Sequence, residues 1–361
     1  MKKKLFFLFF VLIFNISAVY AVEVIPQIRV LIQDYTPEIS IKSDKNIFFY
    51  ENINKEPVEI SGNTNIKAFD EYILIDSNGK TIQSFSNQIY FKPSENSLME
   101  INQSSYGYTI EIKKAGQNIR AINHLPLEDY LLGVLPYELN SKYIEAMKAQ
   151  AVISRTYAYA RILASKKNDY DIRSDYYHQV YGGHKNIEQD VEDAVKITRG
   201  LVICLNDKIA QYICYHSTCA GATENNEFVF FTKPVDYLRS VKCTYNALNE
   251  YKQNFIINNN VKIQDIKKTD DPLCEGSKYI KWQVSINLND VETNLPFDLK
   301  DKIGKISGFE VIKKGISGRT AKLKIKGERN EYIVNGDKIR SIFKFMDNDR
   351  FKNIYSTFIE L

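Results

Sequence analysis

The chain lacks a dominant charge of either sign. Its 361 residues carry 48 Lys and Arg against 44 Asp and Glu, a formal net charge of +4. Three of these lysines, at positions 2–4, lie in a segment that we expect to be removed, which leaves about +1. A chain this close to neutral argues against a dedicated nucleic-acid binder, which needs a basic face. The 44% hydrophobic and 25% charged residues argue against wholesale disorder.

The spacing of cysteine and histidine that marks a metal site is also missing. Five cysteines lie between Cys204 and Cys274, none forms a C-x-x-C pair, and no histidine stands at zinc-finger spacing from a cysteine pair. We therefore expect no metal and no other cofactor. If the chain is exported, disulfides are permitted, and we predict at least one within the chain.

Long apolar runs are absent after residue 21. Before it, the lysines at 2–4 precede an apolar run over 5–21, with a candidate cleavage point before Val22. We interpret residues 1–21 as a signal peptide, and an uncleaved membrane anchor is the alternative. The mature protein is predicted to be exported to the periplasm or cell surface, touching the membrane only if the signal peptide stays uncleaved.

Residues 22–123 are predicted to form a β-rich region, because apolar residues alternate there and turn signals separate the runs. Two hairpins are expected, at 71–85 around Asn78-Gly79 and at 108–122 around Ala115-Gly116. Helical spacing then predicts helices over 127–135, 141–165 and 186–199. A hairpin at 201–215 and strands at 281–288, 308–312, 321–325 and 331–334 follow. The predicted fold class is α+β, mostly antiparallel strands with a helical segment around residues 125–200.

Glu138 is a candidate catalytic carboxylate. It lies between Pro136 and a long predicted helix, among apolar neighbours. A carboxylate in this position can act in proton transfer, and it can also simply balance the dipole of the helix that follows.

Further candidates for ligand binding lie on the long helix and in two later loops. Lys148 and Arg155 are seven residues apart and so share a helix face, which suits either an anionic or polyhydroxylated ligand or a solvated surface. The polar loop 171–183 contributes Gln179 and Tyr181. The later segment 215–225, rich in small and hydroxyl residues, contributes a further set of binding candidates: Tyr215, Ser217 and Thr223.

Several ordered motifs resemble the stage II sporulation protein D family, the SpoIID/LytB domain. The resemblance is most specific at 125–134 (Leu-Pro-Leu-Glu-Asp-Tyr-Leu-Leu-Gly-Val) and 136–139 (Pro-Tyr-Glu-Leu). It continues through the motifs at 145–152, 155–158, 179–183, 217–225, 237–241 and 317–319. The resemblance covers roughly residues 25–361. It divides the mature chain into a β-rich region at 22–123, a catalytic core at 124–245 and a β-rich C-terminal part at 246–361.

The resemblance implies a lytic transglycosylase that cleaves peptidoglycan glycan strands, preferably strands free of stem peptides. The glutamate of the family's Pro-x-Glu motif corresponds to Glu138, which would act as general acid and base and leave 1,6-anhydro-N-acetylmuramic acid ends. The alternative implied by other members is a non-catalytic glycan-binding protein that enhances a cell-wall amidase. The expected partners are therefore glycan strands and, in the alternative, an amidase.

The sequence departs from the family in two places. Some relatives bind zinc through cysteine and histidine before the Gln-Val-Tyr motif, where this chain has Arg173, Tyr177 and His178, so no such zinc site is expected. The sequence also lacks the Gly-His-Gly-Val-Gly-Met-Ser-Gln segment with which the family usually continues, and any substrate contacts made by that segment are expected to be missing.

Overall fold

The computed structural model describes residues 25–60, 63–95, 97–139, 143–184, 187–244, 277, 286, 288–347, 350–354 and 356–357. The predicted signal peptide and most of the strand predicted at 281–288 lie outside these residues. The chain separates into two units, Met1–Cys214 and Tyr215–Leu361. The α+β class is confirmed, with strands that are mostly antiparallel.

The strands of the first unit cover most of its first hundred described residues. They are β1 (Gln27–Thr36), β2 (Glu38–Ile41), β3 (Ile47–Tyr50), β4 (Val58–Ile60), β5 (Thr64–Phe69), β6 (Tyr72–Ser77), β7 (Lys80–Ser84), β8 (Gln88–Pro93), β9 (Met99–Ile101), β10 (Ser104–Tyr106), β11 (Thr109–Ala115), β12 (Asn118–Pro126), β13 (Ile172–Arg173), β14 (Cys204–Leu205) and β15 (Lys208–Ile209).

Seven of these strands form one sheet in the order β13-β1-β12-β11-β8-β3-β4, and four form a second in the order β2-β5-β6-β7. The pairs are antiparallel except β1 with β13, where Val30 lies opposite Ile172. Alternate residues of these strands, such as Ile28 and Val30 in β1, are fully buried. A single core thus contains side chains of both sheets and of the helices that follow.

The two predicted hairpins are confirmed as β6–β7 and β11–β12. In the first, Asn78 and Gly79 have φ values of 49° and 77°, the left-handed backbone that a two-residue type I′ turn requires at both central positions. Asparagine and glycine tolerate this conformation best, which explains why so short a signal predicted the turn correctly.

The helices of the first unit are α1 (Leu127–Leu132), α2 (Leu135–Glu138), α3 (Ile144–Ala164) and α4 (Gln189–Ile197). They confirm the predicted helical segment, although the helix predicted over 127–135 is divided between α1 and α2, and α4 ends at Ile197 rather than at 199. Met147, Ala151 and Ala158 are buried at helical spacing on α3, which places one face of this helix on the core. None of the helices in the described part of the chain is both long and apolar enough to cross a membrane.

The second unit contains β16 (Ile306–Lys314), β17 (Thr320–Gly327), β18 (Glu331–Asn335), β19 (Lys344–Asp347) and β20 (Arg350–Asn353). Its helices are α5 (Asn226–Val229), α6 (Leu288–Asn294), α7 (Phe297–Ile303) and α8 (Lys338–Ile342). The strands predicted at 308–312, 321–325 and 331–334 are confirmed within the sheet β16-β17-β18. Leu288, predicted as the end of a strand, instead begins α6, and Val291 of this helix and the following Leu295 pack into the core of this unit.

Candidate active site

The turn from α1 into α2 positions Glu138. Tyr130, Leu131, Val134 and Leu135 are buried at helical spacing, so the backbone of this segment is held against the core. Glu138 is the last residue of α2 and is half-buried. Its side chain therefore lies at the edge of the core, where it can meet a ligand.

Glu138 is oriented by a backbone group from a distant part of the chain. Its Oε1 accepts the N–H of Val180 at 3.0 Å. Within the described residues Oε2 has no hydrogen-bond partner. The carboxyl group is thus fixed through one oxygen, and the other is available for proton transfer, which is the geometry that a general acid or base needs.

The segment that supplies Val180 is fixed on both sides. Gln179 is buried, and its Oε1 accepts the Tyr130 hydroxyl at 3.2 Å. Tyr181 is also buried and donates its hydroxyl to Asn123 Oδ1 at 2.9 Å. Both residues were candidates for substrate binding. The structure instead buries their side chains in the core, where they position the Val180 N–H toward Glu138.

Close backbone contacts bring this segment to the α1–α2 turn. The Gly182 N–H donates to the Gly133 carbonyl at 3.0 Å. A Cβ on Gly133 would lie 2.5 Å from the Gly183 carbonyl, and a Cβ on Gly182 would meet the ring of Tyr137. Glycine at these positions permits the approach that sets the distance between Glu138 and Val180.

Tyr157 of α3 lies near enough to Glu138 to feel its charge, and Arg161 acts on the same tyrosine; neither was among the candidates from the sequence. Tyr157 is half-buried, and its pKa is raised mainly by burial, with a further contribution from the Glu138 carboxylate and an opposing one from Arg161. Arg161 follows one helical turn later and is also half-buried. The i, i+4 spacing of an aromatic and a cationic residue was the signal available in the sequence.

His178 belongs to the same neighbourhood. Its Nδ1 accepts the backbone N–H of Arg173 at 2.8 Å, so Nε2 carries the proton of the neutral ring. Burial, and next the charge of Arg161, lower the pKa of His178. At neutral pH this ring therefore presents an N–H donor without a charge.

The structure separates Lys148 from Arg155. Lys148 pairs with Glu145 at 2.7 Å on the surface of α3. Arg155 is 1% exposed, and its guanidinium binds both carboxylate oxygens of Glu128, at 2.8 and 2.7 Å. It also donates to the carbonyls of Val195 and Leu201. Arg155 thus ties α1 to α3 and α4 from inside the core, and it is too buried to reach a ligand in solvent.

Tyr215, Ser217 and Thr223 belong to the second unit. Tyr215 is half-buried and Ser217 is exposed. Thr223 is bound through its side chain, since Oγ1 accepts the Val241 N–H at 2.9 Å. Beside it, the Glu224 carboxylate accepts the backbone N–H groups of residues 316 and 317, each at 3.1 Å. The segment 215–225 is therefore held in place by the late Ser-Gly-Arg turn of the same unit.

No group of three His, Cys, Asp or Glu side chains in the described part of the chain is arranged to hold a metal ion. Within that part, Cys204, Cys214 and Cys243 form no disulfide. Cys274 lies outside it, so the disulfide stays a prediction.

Comparisons with known proteins match a different family in each of the two units. Residues 115–205 match the family model of the stage II sporulation protein, SpoIID. Residues 224–359 match a different family, a domain of unknown function, DUF8618. The family match is thus narrower than the resemblance expected over 25–361.

An uncharacterized protein of Brachyspira hyodysenteriae (strain ATCC 49526 / WA1) is 40% identical to the chain over 112 residues. The aligned segment is 30% of this chain and 30% of the relative. No solved structure matches the chain. Glu138, Val180, Tyr157 and Arg161 all fall within residues 115–205. That segment of the chain is similar to the stage II sporulation protein (SpoIID) family, whose domain is associated with lytic function at the cell wall.

Proposed function

We propose that the protein is a peptidoglycan lytic transglycosylase with Glu138 as its general acid and base. The observation that carries the proposal is the half-buried Glu138 carboxyl group, held through Oε1 by the Val180 N–H at 3.0 Å with Oε2 available. Its position in the Pro-Tyr-Glu motif of the family supports the same role.

The chemistry requires one carboxyl group that acts twice. Protonated Glu138 would give its proton from Oε2 to the glycosidic oxygen that leaves C1 of N-acetylmuramic acid. The C6 hydroxyl of the same sugar would then attack C1, and the Glu138 carboxylate would take the hydroxyl proton. The product is a 1,6-anhydro ring, and Glu138 returns to its protonated form.

A hydrolase needs a second carboxyl group, as base for water or as nucleophile. A transglycosylase needs only one, because the C6 hydroxyl of the substrate takes the place of the nucleophile, and Glu138 can supply that one group.

We also propose that the protein works outside the cytoplasm, because the glycan substrate lies there and residues 1–21 have the pattern of a signal peptide. A secreted form whose N-terminus is Val22 is the expected result of N-terminal sequencing. A secreted form that still begins at Met1 would contradict cleavage.

The decisive experiment compares wild type with Glu138→Gln on purified stem-free glycan, with products identified by mass. Glutamine keeps the size of the side chain but cannot deliver the proton, so cleavage should fall by at least ~10²-fold. Glu145→Gln is the matched control, because Glu145 is 80% exposed and bonds to Lys148 on the surface of α3. It should leave cleavage unchanged.

The products distinguish the alternatives. Anhydro ends identify a transglycosylase, and reducing ends identify a hydrolase. If wild type and Glu138→Gln both bind glycan without cleaving it, and both stimulate a cell-wall amidase, the protein is the non-catalytic enhancer.

A further inference from the structure

Arg161 differs from four other arginines of the first unit. Arg29, Arg120, Arg155 and Arg173 each bind a carboxylate, at 2.6, 2.7, 2.7 and 2.8 Å. Arg161 donates Nε to the backbone carbonyl of Asp171 at 3.4 Å. Among the described residues no carboxylate pairs with it, and its two Nη groups have no hydrogen-bond partner. A half-buried cation without a counter-charge is unfavourable unless a ligand supplies one.

Two side chains near Arg161 can donate hydrogen bonds to a ligand. Tyr157 lies one turn earlier on the same side of α3 and brings a hydroxyl group. His178 is engaged as an acceptor at Nδ1, so its remaining ring nitrogen is a donor. A guanidinium with two free Nη groups, beside such donors, fits a carboxylate.

Arg161 is linked to the proposed catalytic group through shared neighbours. The charges of Glu138 and Arg161 both act on Tyr157, and the loop that carries His178 supplies the Val180 N–H to Glu138 two residues later. A carboxylate bound by Arg161 would therefore belong to a sugar near the bond that Glu138 protonates.

N-acetylmuramic acid offers such a carboxylate. Its lactyl group ends in a carboxyl that is a neutral amide when a stem peptide is attached and an anion when the peptide is absent. We propose that Arg161 binds the free lactyl carboxylate of a muramic acid residue next to the scissile bond and so determines specificity for stem-free strands. This inference rests on the proposed function and names the determinant of its substrate class.

The test compares two forms of one glycan oligosaccharide, with the lactyl carboxyls free or converted to methylamides. Binding is measured by calorimetry on the full chain carrying Glu138→Gln, so that no cleavage interferes. Because a hydrogen-bonded charge contributes more than a neutral contact, the free form should bind roughly 10- to 100-fold more tightly. Adding Arg161→Gln should reduce affinity for the free form to that for the amide, which should itself barely change.

Lys167→Gln is the matched control, since it removes one exposed positive charge from the first unit and should leave the preference intact. The comparison of the two glycans on protein with Arg161 intact does not depend on how any Arg161 variant folds. Equal affinity for the two forms there would overturn the inference, and so would a preference that survives Arg161→Gln in protein with an unchanged melting temperature. Failure of both glycans to bind would overturn it as well.

A different result would contradict the proposed function itself: wild-type protein that cleaves neither glycan. Cleavage of both forms at equal rates and with equal affinity would leave the transglycosylase in place and remove the role of Arg161.

Discussion

Helix α3 carries two arginines whose surroundings differ. Arg155 is buried and bonded to both oxygens of Glu128, and its remaining N–H groups meet carbonyls of the first unit. Arg161 is half-buried and bonds to one backbone carbonyl. Six residues at about 100° each place the two side chains about 120° apart around the helix. One side of α3 therefore uses its cation to hold the fold, and another presents its cation beside Tyr157.

The difference follows from the free energy of burying charge. A guanidinium removed from water is tolerated when a carboxylate and several carbonyls replace the lost hydration, as around Arg155. Where that replacement is incomplete, as around Arg161, binding an anionic ligand completes it. Burial and the set of partners, rather than residue type, distinguish a structural arginine from one that can bind a ligand.

The largest effect expected from this comparison concerns stability. Glu128→Ala removes the counter-charge of Arg155 and should lower the free energy of unfolding by about 3–5 kcal/mol, because a buried charge is left unpaired. Urea denaturation followed by circular dichroism measures the change.

The control for this loss is Glu145→Ala, which breaks an exposed pair on the same helix and should change stability by less than about 1 kcal/mol. Equal losses in the two variants would contradict the structural role given to Arg155. Weak glycan binding by a fully stable Arg155 variant would indicate that Arg155 contacts the substrate after all.

A smaller effect should distinguish two glycines at the α1–α2 turn. In Gly133→Ala the new methyl group meets the Gly183 carbonyl and the buried Tyr181 ring, which cannot move aside, so stability should fall by about 1–3 kcal/mol. In Gly182→Ala it meets Tyr137, whose ring is 56% exposed and can swing outward. That variant should stay within about 1 kcal/mol of wild type.

Gly182→Ala should affect activity more than stability. Gly182→Ala displaces the ring beside the segment that holds Glu138, so cleavage should fall several-fold although the protein stays folded. Cleavage at the wild-type rate would mean that the Tyr137 contact does not help to position Glu138. A rate assay at matched concentrations of folded protein decides between the two.

Local features of the sequence predicted much of the fold. They predicted little of the difference between Arg155 and Arg161. The Asn78-Gly79 hairpin and the buried stripe of α3 depend on residues close in the chain, and both are confirmed. Arg155 was a binding candidate because it shares a helix face with Lys148, and its partner Glu128 lies 27 residues away, on another helix. The Val180 N–H that orients Glu138 lies 42 residues away. Spacing along one helix cannot indicate which face meets a partner so distant in sequence.

Glu138 became a candidate through its position, which also left a role in balancing the helix dipole open, and the family motif then favoured the catalytic role. Gln179 and Tyr181 were selected from a polar loop, and their burial could not be read from that composition. Val180 lies between these two buried residues. Its backbone N–H, rather than either of their side chains, therefore contacts Glu138.

The smallest expected effect is the influence of the Arg161 charge on the pKa of His178. Burial and then Arg161 hold the pKa of His178 below its ordinary value of 6.5, while Asp175 acts in the opposite direction. Removing the positive charge in Arg161→Gln favours the protonated ring, so the pKa of His178 should rise. The imidazole signals of the chain's four histidines can be titrated by NMR, and His124 serves as an internal reference.

The same shift has a consequence for stability. Because the folded pKa of His178 lies below the unfolded one, its contribution is present above about pH 6.5 and is lost as the pH falls through the folded pKa. Protonation also removes Nδ1 as the acceptor of the Arg173 N–H. Arg161→Gln should therefore flatten the fall of stability between pH 7 and pH 5, since folded and unfolded pKa values move closer together. An unchanged His178 titration would show that Arg161 is screened by solvent, and the contrast between the two faces of α3 would then be one of burial alone.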